Sequence, residues 1–194
     1  MQLMRMFTTE QVKGTRNYMD TQKKYELLRT LIYFAIPISL FVAGVVQTGD
    51  RANLLSIVAV LGLLPASKSL VSAIMFLRYH SLSDKAAGEI AGHSGGLKGL
   101  YDCVFTSYKK NFEVGYLAVR GKTVCGYSED TGFAENEFYE HLDSHLKLDG
   151  HKDVTVKIFT DLKKFTGRLD QMCALKEEEE KTAAVLSTLK SVML

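Results

Sequence analysis

The residues of this chain best suited to metal chemistry are His141 and His145, four positions apart in the segment HLDSH. On a helix, that spacing places both imidazoles on one face, where they could share a metal ion. A zinc-protease helix would read HExxH, because its glutamate acts as the general base, and that glutamate is absent here. The other three histidines, His80, His93 and His151, have no ligand cluster near them in sequence. We therefore interpret all five histidines as solvent-facing residues.

The three cysteines give no recognisable redox or metal motif. They are Cys103, Cys125 and Cys173, all in the C-terminal half of the chain. An odd number at wide spacing forms no disulfide framework, and there is no CxxC pair. We expect reduced, partly buried thiols in a reducing compartment.

Basic residues lie at two predicted β-turns and could bind an anion. They are Lys109, Lys110, Arg120 and Lys122, with the aromatic residues Tyr108 and Phe112 alongside. Such a cluster would fit nucleic acid or anionic lipid. Residues 101–194 carry a net charge of −3, which argues against nucleic acid. We prefer the interpretation that these are solvated turns.

Two further stretches resemble binding motifs only superficially. Residues 84–99 contain five glycines, but phosphate loops follow a strand and open a helix, whereas here a weak helix precedes a strand. We therefore predict a helix that ends in a flexible linker. The acidic run Glu177–Glu180 suits the positive end of a helix dipole, and we interpret it as a solvated cap.

The strongest pattern in the sequence is a pair of long apolar segments. Residues 30–48 contain no charge, and residues 53–77 contain only Lys68. Each is close to the ~20 residues that cross the hydrocarbon core of a bilayer as a helix. The two are separated only by the polar residues 49–52, so they predict an antiparallel transmembrane hairpin. A cleaved signal peptide would have a shorter polar lead and a shorter apolar core.

Basic residues near the spans predict the orientation of this hairpin. Residues 1–29 contain six basic and three acidic residues, whereas the turn contains only Arg51. The positive-inside rule then places both termini in the cytoplasm and the turn outside a cell membrane. We expect residues 16–29 to form a basic amphipathic helix along the inner leaflet, or simply a juxtamembrane extension.

Small residues and one charge stand out within the spans. Small side chains repeat on both segments, at Ala35, Ser39 and Ala43 and at Ala59, Gly62 and Ala66. Such stripes allow close helix packing in lipid, either within the hairpin or between copies of the chain. We expect Lys68 to extend its ammonium group to the headgroups, although an intramembrane charge can also mark a transport path.

The C-terminal part predicts a small α/β domain over residues 100–194. Strands are expected at 100–108, 112–120 and 123–128, followed by a helix at 133–148. A fourth strand at 153–160 and helices near 161–173 and 177–193 complete the order. The last helix is amphipathic and could pack on its own domain or on another subunit. The overall fold class is therefore α+β with a membrane part, in which the helices cover one side of the sheet.

The predicted order of helix, three strands, helix and strand resembles the core of restriction-endonuclease-like nucleases. The resemblance is topological and covers residues 85–160. It implies an acidic residue on the second strand, which Glu113 would supply, and an acid-x-Lys pair on the third. The third strand, TVCGYS, has no such pair, and Asp161-Leu162-Lys163 comes after a later strand. The resemblance therefore implies a fold whose catalytic centre is missing.

These patterns assign no catalytic, cofactor-binding or metal-ligating residue. We expect domains at 1–29, 30–48, 49–52, 53–77, 78–99 and 100–194: a juxtamembrane helix, a span, an external turn, a second span, a linker and a cytoplasmic domain. The leading functional hypothesis is a membrane-anchored interaction or accessory protein whose partners are the lipid bilayer and either another protein or further copies of itself. The alternatives are a membrane-tethered nuclease-like enzyme and an oligomeric small transporter.

Overall fold

The computed structural model describes residues 12–108, 110–176 and 178–194. Over these residues it is a mixed α/β structure with six helices and one four-stranded sheet. Two compact units divide the described residues: one comprises Met19–His80, and the other joins 12–18 to Ser81–Leu194. Each unit is described separately below.

The first unit is built from two long helices, α1 (Tyr18–Thr48) and α2 (Leu54–Arg78). The predicted juxtamembrane stretch and the first apolar segment form one uninterrupted helix, so residues 18–29 continue the axis of that segment. Asn53 begins α2 by accepting a hydrogen bond from the Ser56 backbone N–H at 2.9 Å, which satisfies one of the free amides at the helix start.

Contacts seven residues apart define the register of the two helices. Thr30 Oγ1 lies 2.9 Å from Ser69 Oγ, and a Cβ added at Gly62 would lie 3.3 Å from Pro37 Cβ. A Cβ added at Gly44 would lie 2.9 Å from Leu55 Cβ. The numbers rise on α1 as they fall on α2, so the helices are antiparallel. A seven-residue repeat is typical of helices that wrap gently around each other.

The second unit contains the predicted elements in the predicted order. They are α3 (Asp84–His93), β1 (Lys98–Thr106), β2 (Asn111–Arg120), β3 (Thr123–Tyr127), α4 (Glu135–Leu148), β4 (Thr155–Phe159), α5 (Leu162–Cys173) and α6 (Glu179–Val192). The strands lie in the order β1-β2-β3-β4. The first three form the predicted antiparallel meander, and β4 is parallel to β3 because α4 crosses between them.

Helices cover both faces of this sheet, so the prediction that they pack on one side was wrong. α4 and α6 bury one face, where Phe105, Phe112, Phe138 and Leu189 meet. α3 and α5 bury the other face around Tyr116 and further residues of the core. The reason is visible in the central strand β2, where four consecutive residues, 116–119, are buried and therefore point alternately into two cores.

The segment predicted as a glycine-rich linker contributes to the second core. Residues 84–93 form α3, and Ala86, Ala87 and Ile90 are buried in it. The Ser83 side chain caps the start of α3 through the Ala86 N–H. The small side chains let α3 approach the sheet closely. Packing against the sheet, rather than the helix propensity of its residues, therefore stabilises α3.

The chain segment before α1 and the chain segment after α2 both hydrogen-bond to the edge strand β1. The Tyr101 N–H donates to the Gly14 carbonyl at 2.8 Å, and Gly14 has a φ of +79° and presses its Cα against Leu100. After α2, the Leu82 N–H donates to the Asp102 carboxylate at 2.9 Å. Residues 12–18 are thus part of the α/β unit, although α1 and α2 separate them from the rest of it.

Candidate membrane interface

The outward-facing side chains of α1 and α2 are large, apolar and exposed. The exposed fraction reaches 77% at Val46, 76% at Leu54 and 69% at Leu64. In the most apolar stretch of each helix, only 17% of the α1 residues and 22% of the α2 residues are buried. A helix in the core of a water-soluble protein would be mostly buried. The two helices are therefore long and apolar enough to cross a membrane.

The surfaces that α1 and α2 turn toward each other carry small residues instead. On α2 the buried residues include Ala59, Ala66 and Ala73, seven apart. The predicted small stripe on α2 therefore lies in the helix pair, with Gly62 against Pro37. The predicted stripe on α1 does not, because Ala35, Ser39 and Ala43 are all exposed. The residues of α1 that face α2 are instead Pro37 and Gly44.

A buried polar network joins the helices near one end of the pair. Arg29 Nε donates to Ser69 Oγ at 3.3 Å, and the Arg29 guanidinium also pairs with the Glu26 carboxylate. Thr30 Oγ1 donates to the Glu26 carbonyl at 2.8 Å, so the hydroxyl hydrogen in its contact with Ser69 comes from Ser69. Gln22 donates to the same Glu26 carboxylate at 3.2 Å, and Glu26 is only 3% exposed. A charge this buried is tolerated because it is paired and hydrogen-bonded.

Lys68 is placed differently from this network. Its side chain is exposed, and it forms no ion pair among the residues that the structure describes. It lies next to Ser69 in sequence but points away from the helix pair. Lys68 therefore does not line a path between the two helices.

The predicted histidine pair forms on α4, but it is not a built metal site. The rings of His141 and His145 lie 4.8 Å apart, and His141 packs on Phe112. His141 Nε2 is buried without a hydrogen-bond partner, and burial first, then His145, lowers the pKa of His141. Within the described ranges, no group of three or more His, Cys, Asp or Glu residues is placed to hold a metal ion. His141 is thus partly a packing residue, which differs from the solvent-facing prediction.

A histidine–carboxylate pair that the sequence did not reveal lies between α3 and α5. His93 Nδ1 is 3.0 Å from the Asp170 carboxylate, and the Cys173 thiol donates to the His93 carbonyl at 3.7 Å. His93 and Asp170 are 77 residues apart, so no local pattern could have found them. Both side chains are about half exposed, so the pair is worth little to stability.

All three cysteines are reduced in the structure. Cys103 and Cys125 are buried, and Cys173 is half-buried. Burial raises the pKa of the Cys103 and Cys125 thiols, and for Cys125 the neighbouring Arg168 partly offsets that rise. A thiol with a raised pKa is a poor nucleophile, so these two residues are packing residues.

The positions that a nuclease-like centre would use do not carry its chemistry. Glu113 lies on β2, where the resemblance expects an acidic residue, and its side chain is exposed. On β3, Cys125 and Tyr127 are buried in the core under α3 and α5, and there is no acid-x-Lys pair. Asp161 instead caps α5 by accepting from the Lys163 and Lys164 backbone N–H groups.

The predicted basic cluster does not form. The β1–β2 turn and the β2–β3 turn lie at opposite ends of β2, a strand of ten residues and about 30 Å. Lys110 is therefore far from Arg120 and Lys122, and Phe112 is buried in the core. Lys109 and Glu177 lie outside the described residues, while Glu178 and Glu179 form ion pairs with Lys181 and Lys98.

Comparison with protein-family models, curated proteins and solved structures finds no match to this chain.

Proposed function

We propose that this chain is an integral membrane protein in which α1 and α2 form a transmembrane hairpin and anchor the α/β unit at a membrane surface. The observation that carries the proposal is the inverted distribution of side chains on the helix pair. Small and polar residues are buried between the helices, whereas Leu, Ile, Val and Phe side chains face outward. In water that outer surface would be costly, because each such side chain gains about 1.5–3 kcal/mol when it is removed from water.

The α/β unit contains chain segments from both before α1 and after α2, which supports a hairpin over a cleaved signal peptide. Residues before α1 and residues after α2 hydrogen-bond to one another, through Tyr101 with Gly14 and through Lys13 with the Met193 carbonyl at 3.0 Å. Arg16 also pairs with Asp84 at 2.7 Å. Segments that belong to one folded unit must be on the same side of a membrane, which requires an even number of spans. Cleavage after the first apolar segment would remove residues that this unit uses.

The orientation remains the one that the charges favour. The turn between the helices contains only Arg51, whereas basic residues precede α1 and follow α2. By the positive-inside rule, the α/β unit faces the cytoplasm and the turn faces outward across the cell membrane. Reduced cysteines in the α/β unit are compatible with that compartment.

The role we propose for the α/β unit is interaction rather than catalysis. Among its described residues, no group of three or more His, Cys, Asp or Glu side chains is placed to hold a metal ion, and burial raises the pKa of the Cys103 and Cys125 thiols. The partner is a membrane-associated protein or further copies of the chain. Proximity labelling from intact membranes tests this role, and a set of neighbours unchanged when only the α1–α2 hairpin is retained would contradict it.

One observation favours a second candidate, a nuclease-like enzyme. The α/β unit has the order of helix, three strands, helix and strand that this fold class shares. Mg²⁺-dependent cleavage of DNA or RNA by the full chain, lost on Glu113→Gln, would establish it over the interaction role. The full chain is needed because residues 12–18 and 81–96 belong to the same unit.

Alkaline extraction and cysteine labelling test the membrane hairpin. The full-length chain should stay in the pellet after carbonate treatment and should be released only by detergent. In a chain that carries Cys173→Ser, Thr15→Cys and Lys152→Cys should react with an impermeant maleimide from one side of sealed vesicles, and Ala52→Cys from the other. Release by carbonate, or labelling of Thr15→Cys and Lys152→Cys from opposite sides, would contradict the hairpin.

A further inference from the structure

The register of the helix pair aligns its polar residues at one level. Thr30 lies opposite Ser69, so Arg29 on α1 is within one helical turn of Lys68 on α2 along the common axis. Ser67 and Ser72 lie at the same level. We call these six residues the polar belt: Arg29, Thr30, Ser67, Lys68, Ser69 and Ser72. On α2 the belt spans about 8 Å at helical rise.

From the polar belt to the turn, the two helices differ in length. α1 runs from Thr30 to Thr48, which is about 27 Å at 1.5 Å per residue and close to a hydrocarbon thickness of about 30 Å. α2 runs from Leu54 to Ser69, about 22 Å, a shorter span of the kind that a bilayer accommodates by local thinning and by lysine side chains that extend to the headgroups. If all of α2 to Leu77 were embedded, the charge of Lys68 would lie about 13 Å inside the hydrocarbon, at a cost of up to about 3 kcal/mol.

We propose that the polar belt marks the inner boundary of the hydrocarbon and that Lys68 binds the phosphate of an anionic phospholipid there. This inference rests on the proposed membrane hairpin. The Arg29 guanidinium is turned inward to Glu26 and Ser69, whereas the Lys68 ammonium is exposed on the outer surface and forms no ion pair among the described residues. A lysine at headgroup level with an unpaired ammonium is attracted to lipid phosphates.

The span of α2 then ends near Lys68, earlier than the sequence indicates. The part of α2 after the belt, together with the start of α1, stands in the headgroup layer and beyond as a helical stalk. The stalk holds together without lipid because Ala73 and Phe76 are buried and Glu26 is paired with Arg29. Its outward residue Ile74 is 47% exposed and should be reachable from water.

Cysteine labelling in nanodiscs, where both faces are accessible, locates the boundary. Single cysteines replace Leu64, Ile74 and, as a water-exposed reference, Leu148, in a chain that carries Cys173→Ser. A charged maleimide should label Ile74→Cys at a rate close to that of Leu148→Cys and should leave Leu64→Cys unlabelled. Protection of Ile74→Cys together with Leu64→Cys would overturn the boundary while leaving the membrane hairpin intact. Labelling of Leu64→Cys as fast as Leu148→Cys would overturn the hairpin itself.

A fluorescent reporter measures the lipid preference of Lys68. The chain has no tryptophan, so Val71→Trp, one helical turn from Lys68, provides a single fluorophore. Brominated phosphatidylglycerol should bind next to it about fivefold more tightly than brominated phosphatidylcholine. Lys68→Gln should abolish that preference, whereas Lys163→Gln, the same charge change in α5, should keep it.

Two outcomes would overturn the lipid assignment. One is an equal preference for phosphatidylglycerol with and without Lys68. The other is loss of the preference on addition of inorganic phosphate, because it would show that a free anion rather than a lipid headgroup occupies the lysine. The preference should instead persist in phosphate at constant ionic strength.

Discussion

Replacing Leu61 with arginine distinguishes a lipid-facing surface from a water-facing one. Leu61 is 60% exposed on α2, and by the register of the helix pair it lies near the middle of the span, about 10 Å from Leu54. At an exposed site in water, such a change alters stability by no more than about 0.5 kcal/mol. At the centre of a bilayer, exchanging leucine for arginine costs about 3–4 kcal/mol.

The difference corresponds to a fall of roughly 10²- to 10³-fold in the ratio of integrated to non-integrated chains. That ratio is measured for the full chain during cell-free synthesis with microsomal membranes, followed by alkaline extraction. Leu148→Arg is the matched control, because Leu148 is 82% exposed on the α/β unit and should tolerate the change. If Leu61→Arg integrates as well as Leu148→Arg, the outer surface of α2 does not face lipid and the reasoning fails.

Three further predictions concern stability. Ser69→Ala removes the hydroxyl between Arg29 and Thr30 and should destabilise the helix pair by about 1–3 kcal/mol in detergent, whereas Ser67→Ala should have no effect because Ser67 bonds only to its own helix. Gly115→Ala would place a Cβ 2.5 Å from a Leu82 methyl and should lower the urea midpoint, whereas Gly88→Ala, with open space around it in α3, should raise it. The pKa of His141 is lower in the folded chain than in the unfolded chain, so the unfolded chain binds the proton first as pH falls. The free energy of unfolding should therefore decrease as pH drops from about 7.5 through 6.5. His141→Gln should reduce that fall.

Each of these has a definite contradicting result. Equal thermal midpoints for the two serine variants would show that the polar network does not hold the helices together. A Gly115→Ala chain as stable as Gly88→Ala would mean that the segment at Leu82 does not pack on β2. If the parent chain and His141→Gln lose the same stability between pH 7.5 and 5.5, the titrating group is another residue.

Local pattern was enough to predict most of the elements. The strands near β1, β2 and β3 and the helices near α4, α5 and α6 were found within about two residues of where the structure has them. Alternation and turn residues determine such elements, because neighbouring side chains set them. α3 was underestimated, because its Ala and Gly residues look weak in isolation and acquire order only from the sheet that they pack on.

The arrangement of elements in space was harder to predict. The sheet has two buried faces because α3 and α5 cover the face opposite α4 and α6, and the sequence signal for this is the short apolar run 116–119 on β2. The pairing of Gly14 with Tyr101 and of His93 with Asp170 joins residues far apart in the chain. The stripe assigned to Ala35, Ser39 and Ala43 was misplaced because Pro37 and Gly44 can pack as closely as alanine can.

The bond between Lys13 and Met193 has a consequence for how the protein is made. Its two residues are 180 positions apart in the chain. Next to Met193, the Leu194 backbone N–H donates to the Val104 carbonyl of β1 at 2.9 Å. A ribosome adding about 5–20 residues per second needs roughly 10–40 seconds between making one partner and the other. Throughout that interval the first-made segment waits without its binding site, while both apolar helices leave the exit tunnel. Membrane insertion therefore has time to finish before the two ends of the α/β unit can bind each other. A delay in membrane insertion would delay the folding of that unit.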